Sequence, residues 1–456
     1  MQYLKNKPLI EKFSLTTIPR MSFFAIVLLL MLFGRPFSGI GIFGFRIGEI
    51  IVGFSLLVVF MTILNLKKAL FVTSRQLRIY NFMRINVLAF FVVVFYHKDN
   101  LLDPYVFKTS SYFWIFGIYF ISTYFFLSEK NQNLIIKAPS YILIIVYSFT
   151  TIKYPDLIHD FLIRYSDKFD FHKGAEILLI FVVANLLNLK FMKKNNSIIY
   201  LFLSTGLFLP LFFYMSRGAT IACLIFFATC LVREYKFIIT NYKSTFIVFI
   251  FTIGIFIFSA VNITSDLFFG FLNDNDTPIV SEEVPISIES SVVNIIEKKN
   301  YSGILSFYFK DGKIFNSEMN ANWRLILWQE IIYDLDVKNL FLVGYGYSEI
   351  IPVMLSADNN GMDGTNENVH NHFIQILARG GIIHVFLIVS LYLLFIKIYY
   401  DKHHNLKIVD YILPIIFVSL FDTSMESVRF PTVFLFYLAF FVINGVQHKD
   451  LSKKIF

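Results

Sequence analysis

Long apolar stretches, separated by short polar segments that carry lysine and arginine, organise most of the chain. A helix crossing the hydrocarbon core of a bilayer needs about 20 predominantly apolar residues. Twelve runs approach or meet that length, at 21–36, 47–66, 80–96, 106–127, 135–153, 175–190, 198–215, 218–233, 244–264, 380–398, 408–424 and 431–447. The pattern predicts an all-α polytopic membrane protein of about 12 transmembrane helices. The first run is not expected to be a cleaved signal, because no small-residue cleavage site follows it and Arg35-Pro36 leads straight into the next run. One polar stretch, 265–371, is far longer than an ordinary connection. The expected organisation is therefore spans one to nine in 1–264, a large loop containing short helices in 265–371, and spans ten to twelve in 372–456.

Composition agrees with this division. Hydrophobic residues make up 56% of the 456 positions and charged residues 16%, against about 25% charged in a soluble domain; disorder, collagen and coiled coil are excluded with the soluble class. The net charge of +8 would suit a nucleic-acid partner if it lay on one surface, but its distribution argues otherwise. With the N-terminus inside, the short inner segments hold 23 Lys/Arg and the short outer ones nine, as the positive-inside rule requires of a protein with both termini cytoplasmic. The long loop carries 16 Asp/Glu and six Lys/Arg, a net of −10, which leaves +18 for the remainder. Neither part is a nucleic-acid surface. The two cysteines, Cys223 and Cys230, share one apolar run and are read as packing residues.

Candidate chemistry concentrates on the outer side. In the loop, "NDNDTPIVSEEVPISIESS" is polar and lacks helical periodicity, whereas "NWRLILWQEIIYDLD" sets Arg324, Trp328, Ile331 and Leu335 on one helical face. Gly344-Tyr345-Gly346 is expected to end that unit as a turn. Arg217, in Ser216-Arg217-Gly218 between two apolar runs, is either an interfacial arginine reaching the headgroups or a ligand for phosphate, whose oxygens a guanidinium binds in pairs. In "ENVHNHFIQILARGGI" a helix should begin near Asn371 and break at Gly380-Gly381. His370 then stands at the N-terminal end, where the helix dipole disfavours imidazolium and leaves a neutral imidazole able to act as a base; the alternative is a capping or loop histidine. A zinc site from His370, His372, Glu367 and Asp363 fits no closed four-ligand spacing. The acidic pairs Asp274/Asp276 and Asp334/Asp336 resemble the metal-binding acids of nucleotide-sugar glycosyltransferases but occur often by chance. The first outer loop, "RPFSGIGIFGF", has no acid, unlike metal-dependent membrane glycosyltransferases. No metal and no cofactor is expected, and no Walker, dinucleotide-binding or nucleophile-elbow motif is present. The remaining histidines are read as loop residues, except His384, which is expected to make a polar contact inside a span.

Taken in order, "SRG" at 216–218, "RLILW" at 324–328, "GYG" at 344–346 and "HNHFIQILARGG" at 370–381 resemble the O-antigen ligase and polymerase superfamily, over roughly 210–400. The resemblance implies a GT-C-like, metal-independent, inverting glycosyltransferase of the bacterial inner membrane with its active site facing the periplasm. Its donor would be a glycan on undecaprenyl diphosphate and its acceptor a sugar hydroxyl. Carried over by position, Arg217 and Arg324 would hold the diphosphate, His370 would take the acceptor proton, and Asp422 would orient the imidazole. Trp328, Asn371 and Arg429 complete the expected substrate contacts.

The expected activity is that of an O-antigen polymerase joining lipid-linked repeat units, with membrane lipids and a chain-length regulator as further partners. Transfer of finished O-antigen to lipid A core, as by a ligase, is the alternative, and transfer to a protein hydroxyl a third. From another class, a lipid-linked glycan flippase would need a central charged cavity and no long outer loop.

Overall fold

The computed structural model describes residues 17–63, 74–128, 133–152, 154–167, 172–273, 307–310, 312–316, 319–356, 367–422 and 424–443. Asp274, Asp276 and Asp363 of the metal readings lie outside these. Each of the twelve apolar runs contains helix among its described residues, although 106–127 is divided among three helices and the helix in 408–424 ends at Ser419. In chain order the helices are α1 (Thr17–Phe33), α2 (Arg35–Gly39), α3 (Ile47–Ile63), α4 (Ser74–His97), α5 (Pro104–Thr109), α6 (Ser111–Trp114), α7 (Gly117–Ser128), α8 (Asn133–Thr151) and α9 (Asp156–Tyr165). They continue with α10 (Gly174–Phe191), α11 (Lys194–Met215), α12 (Arg217–Thr240), α13 (Tyr242–Asn273), α14 (Met319–Val337), α15 (His372–His403), α16 (Val409–Ser419) and α17 (Arg429–Ile443). Among the described residues six helical segments are long and apolar enough to cross a membrane: Arg78–His97, α8, α10, α11, Tyr242–Ile263 and α15. Apolar segments at Met21–Phe33, Ile47–Met61, Ser111–Thr123, α16 and α17 are shorter. The protein is thus an all-α polytopic membrane protein in which six of the twelve runs reach spanning length by this measure.

Burial follows sequence pattern. α10, "GAEILLIFVVANLLNLKF", is apolar on every face, which suits a helix surrounded by others; it is buried over nearly its whole length and packs on α8, α11, α12, α16 and α17. α13 packs chiefly on α11 and turns Phe246, Phe249, Phe251 and Phe258 outward, a surface that only hydrocarbon would cover favourably. Cys223 and Cys230 are free and buried in α12.

The described second half of the long loop has its own core. Leu327, Ile331 and Leu335, spaced one helical turn apart on α14, pack with Ile351, Met354 and Val369 and with Leu377 and Ala378 of α15. A hairpin, Phe307–Lys310 with Lys313–Asn316, is held on α14 by Gln329, whose amide donates to the Ile314 carbonyl and accepts from the Ile314 N–H, both at 2.8 Å.

The expected break at Gly380-Gly381 is a kink inside α15, with Gly381 at φ 70°. The kink removes helical bonds, and the segment before it in sequence replaces them. Ile382 N donates to the Phe341 carbonyl (2.9 Å), Tyr345 N to the Ala378 carbonyl (2.7 Å) and Gly346 N to the Arg379 carbonyl (3.1 Å). Gly344-Tyr345-Gly346 is therefore more than the turn its composition predicts: it is a strap bonded to an opened helix. A Cβ on Gly381 would stand 2.1 Å from the Leu342 carbonyl oxygen, and one on Gly344 2.6 Å from that of Ala378, so close backbone approach demands glycine at both. Beneath the strap, Tyr347 Oη lies 2.7 Å from His384 Nδ1 and 2.8 Å from Tyr112 Oη. His384 thus makes the polar contact expected of it.

Candidate functional site

Four chain segments meet where α10, α12 and α17 begin and α16 ends. Arg217 is the first residue of α12, whose N-cap Ser216 accepts from Ala219 N at 3.3 Å. Gly218 lies against the turn after α16, since a Cβ there would be 3.2 Å from Cβ of Phe421. Gly174 of α10 meets the same junction, where a Cβ would fall 2.9 Å from Cβ of Ser216. From the long loop, Arg324 Nη1 donates to the Phe421 carbonyl at 2.7 Å. The next residue is Asp422. Arg217, Arg324 and Asp422 are thus brought to one turn from elements about 100 to 200 positions apart.

His370 completes the group. Its backbone is left-handed, φ 54°, a conformation costing a non-glycine residue about 1–2 kcal/mol, and it is fixed from both sides. Trp328 Nε1 donates to the Val369 carbonyl at 2.7 Å, and Asn371 Oδ1 caps α15 by accepting from Phe373 N (3.0 Å) and Ile374 N (3.1 Å). The polar groups of Trp328 and Asn371 are therefore engaged in holding the histidine segment. The imidazole packs edge-on to Trp323, 5.5 Å between centroids, and makes no hydrogen bond to a described residue. Burial first, then the Arg324 and Lys173 cations, push its pKa down to about 4, with Asp422 opposing. The neutral state expected from the helix dipole has burial and two cations as its causes here. Asp422 acts through space, without the hydrogen bond that orienting the ring would require.

Two members of the cluster were not singled out in the sequence. Lys173 precedes α10, and in the sequence it is one cation among the nine of the short outer segments. Glu426, four residues after Asp422, has both carboxylate oxygens shielded and without hydrogen-bond partners. Burial, then Asp422, raise its pKa to about 8 against the pull of Arg379 and Lys173, so at neutral pH it is mostly a carboxylic acid. Arg379 is buried in α15, where it donates to the Glu349 carbonyl.

Other candidates are placed elsewhere. Arg429, at the start of α17, is ion-paired with buried Glu176, so its charge is already compensated. Glu367 is held by Lys108 (2.9 Å) and Tyr105 (3.1 Å), and Asp334 by Tyr345 (2.7 Å) and Lys338 (2.9 Å). Among the described residues no three His, Cys, Asp or Glu side chains are grouped as a metal site.

No curated protein matches the chain. A family model described as O-antigen ligase matches residues 198–389, from α11 into α15, and so includes Arg217, Arg324 and His370 but not Lys173, Asp422 or Glu426. The match covers 192 of the 456 residues, with those three residues and the strapped kink inside it, and supports the resemblance to the O-antigen ligase and polymerase superfamily.

Proposed function

We propose that the protein is an O-antigen or related surface-polysaccharide polymerase, transferring a glycan from undecaprenyl diphosphate to a hydroxyl of a second lipid-linked repeat unit. The observation that carries the reading is the convergence of His370, Arg324, Lys173 and Asp422 on the turn where α12 begins. A departing diphosphate gains negative charge, and fixed cations at that position stabilise it as an oxyanion hole stabilises its oxygen. Arg217 and Arg324 are assigned to the diphosphate, with Lys173 beside them, and Arg429 is left out because Glu176 neutralises it. His370 accepts the proton of the acceptor hydroxyl. The acceptor oxygen bonds to the anomeric carbon from the face opposite the leaving group, and the bond from that carbon to the diphosphate oxygen breaks, its electron pair leaving with the lipid diphosphate. Configuration inverts and no metal takes part.

A pKa near 4 by itself makes His370 a weak base, since a base works best near the operating pH. Bound diphosphate offsets Arg324 and Lys173 and raises the imidazole pKa, so the donor activates the base. Trp328 and Asn371 keep the ring in place.

Transfer to lipid A core is the second reading, favoured by the description of the matched family. The lipopolysaccharide gel of a deletion strain separates the two. A single repeat on core identifies a lost polymerase; bare core with polymer left on the carrier identifies a lost ligase. Unchanged surface polysaccharide in a strain carrying His370→Ala would overturn both readings and return the flippase to consideration.

A further inference from the structure

The opposite end of the same helices holds a second cluster of cations around a cavity. Toward that end α10 carries Lys190, α12 carries Arg233, and α16 begins just after Ile408. At 1.5 Å rise per residue, Arg217 and Arg233 are about 24 Å apart along the axis. Between the far ends lies a cavity of about 220 Å3, walled by apolar residues such as Leu186, Leu189 and Phe441 and by the side chains of Lys190, Arg233, Lys402 and Lys407, with Glu234 and Asp410 as its acids.

The charges do not cancel. Arg233 Nη2 donates to Asp410 at 2.7 Å, and Glu234 is paired with Lys194. Lys402 donates to the last carbonyls of α17, that of Val442 at 3.3 Å. Lys190 and Lys407 have no carboxylate or carbonyl bound to their ammonium groups among the described residues. Lys190 Nζ instead lies over the rings of Phe191, Phe440 and Phe441, at 5.4, 5.6 and 5.6 Å, and the charges acting on it are those of Lys402 and Lys407. Three ammonium groups repelling one another around a partly desolvated space favour an anion among them.

We infer that this cavity is a binding site for a phosphate group, formed by Lys190, Lys402 and Lys407 at the end of the bundle remote from His370. One side of the wall is apolar, as suits a headgroup still attached to its acyl chains, and the charge pattern assigns this end to the cytoplasmic leaflet, where anionic lipids gather around basic pockets between helices. The phosphate can come from such a lipid or from a soluble phosphate. The site is independent of the proposed reaction.

The test uses full-length protein in nanodiscs of phosphatidylcholine with or without phosphatidylglycerol, and separately in detergent with inorganic phosphate, with bound species counted by native mass spectrometry. Saturable retention of phosphatidylglycerol over phosphatidylcholine identifies the lipid source; retention of inorganic phosphate identifies the soluble one. Lys407→Gln, in an exposed loop, should weaken retention about fivefold, and Lys190→Met with Lys407→Gln about thirtyfold. Wild-type protein that retains neither species, or retention unchanged in folded Lys407→Gln protein, overturns the inference.

Discussion

Arg324 Nη1 lies 2.7 Å from the carbonyl oxygen of Phe421. One hydrogen bond thereby ties the helix of the long loop, α14, to the turn that carries Asp422 and touches Gly218, so the arginine both supplies charge and sets the position of its neighbours. Arg324→Ala should lower polymer formation about 100- to 1,000-fold, the range for removing one fixed donor from an oxyanion-type site. Arg324→Lys should recover little, because a single ammonium cannot both hold a carbonyl and present a fork to phosphate. The check is transfer from purified lipid-linked donor; recovery by lysine to near wild type would reduce Arg324 to a diffuse charge.

Arg217 stands at the first position of α12, where backbone N–H groups also face an incoming anion. Arg217→Lys keeps the charge and loses the paired geometry. Activity about tenfold or more below wild type is expected, with donor KM raised. Near-normal kinetics would make Arg217 a headgroup anchor.

His370 has a folded-state pKa of about 4 against about 6.5 in the unfolded chain. A depressed pKa means that the unfolded state binds the proton more readily, so the stability contributed by neutral His370 is complete above pH 6.5 and is lost as pH falls from there through 4. In detergent, wild-type thermal midpoints should therefore decline more steeply than those of His370→Gln across that window. The same variant should lose about 100-fold or more in transfer at neutral pH, and parallel pH curves would show that the ring is not held neutral by the fold.

How much of this was readable before folding depended on the range of the interaction. Helix was readable in the apolar runs, because backbone hydrogen bonding in hydrocarbon leaves a single segment little other choice, and six of the helical segments reach spanning length. The break at Gly381 and the face shared by Arg324 and Trp328 followed from local glycine placement and helical spacing. Lys173 was invisible as a site residue, since its neighbours His370 and Glu426 lie about 200 positions or more away. Arg429 is an available cation by sequence alone, and its neutralising partner Glu176 lies 253 residues earlier. Gly344-Tyr345-Gly346 read as a turn, because its bonds to the Ala378 and Arg379 carbonyls exist only once α15 opens.

Those bonds make Gly381 a structural test. An added Cβ would sit 2.1 Å from the Leu342 oxygen at a φ of 70°, so Gly381→Ala combines steric overlap with left-handed strain. A loss of about 3 kcal/mol or more is expected, measured as a lowered unfolding midpoint. Gly254, with nothing within 4 Å of a built Cβ, is the control: Gly254→Ala should leave the midpoint unchanged or slightly raised. Equal effects at the two positions would mean that the strap does not constrain the kink.

Glu426 provides the opposite pH signature. Its folded pKa of about 8 lies above the ordinary carboxyl value of 4.5, so stability is complete below 4.5 and declines as pH rises through 8, where the native carboxyl finally ionises. Glu426→Gln cannot ionise in either state. It should match wild type in transfer at pH 7, where the native side chain is still mostly protonated, and should lack the decline in midpoint between pH 4.5 and 8. Above pH 8 the wild-type carboxylate would add a second negative charge beside Asp422 and compete with diphosphate for Lys173. Donor KM should then rise in wild type and stay level in Glu426→Gln. If the two enzymes show the same KM from pH 7 to 9, Glu426 has no electrostatic influence on the donor site.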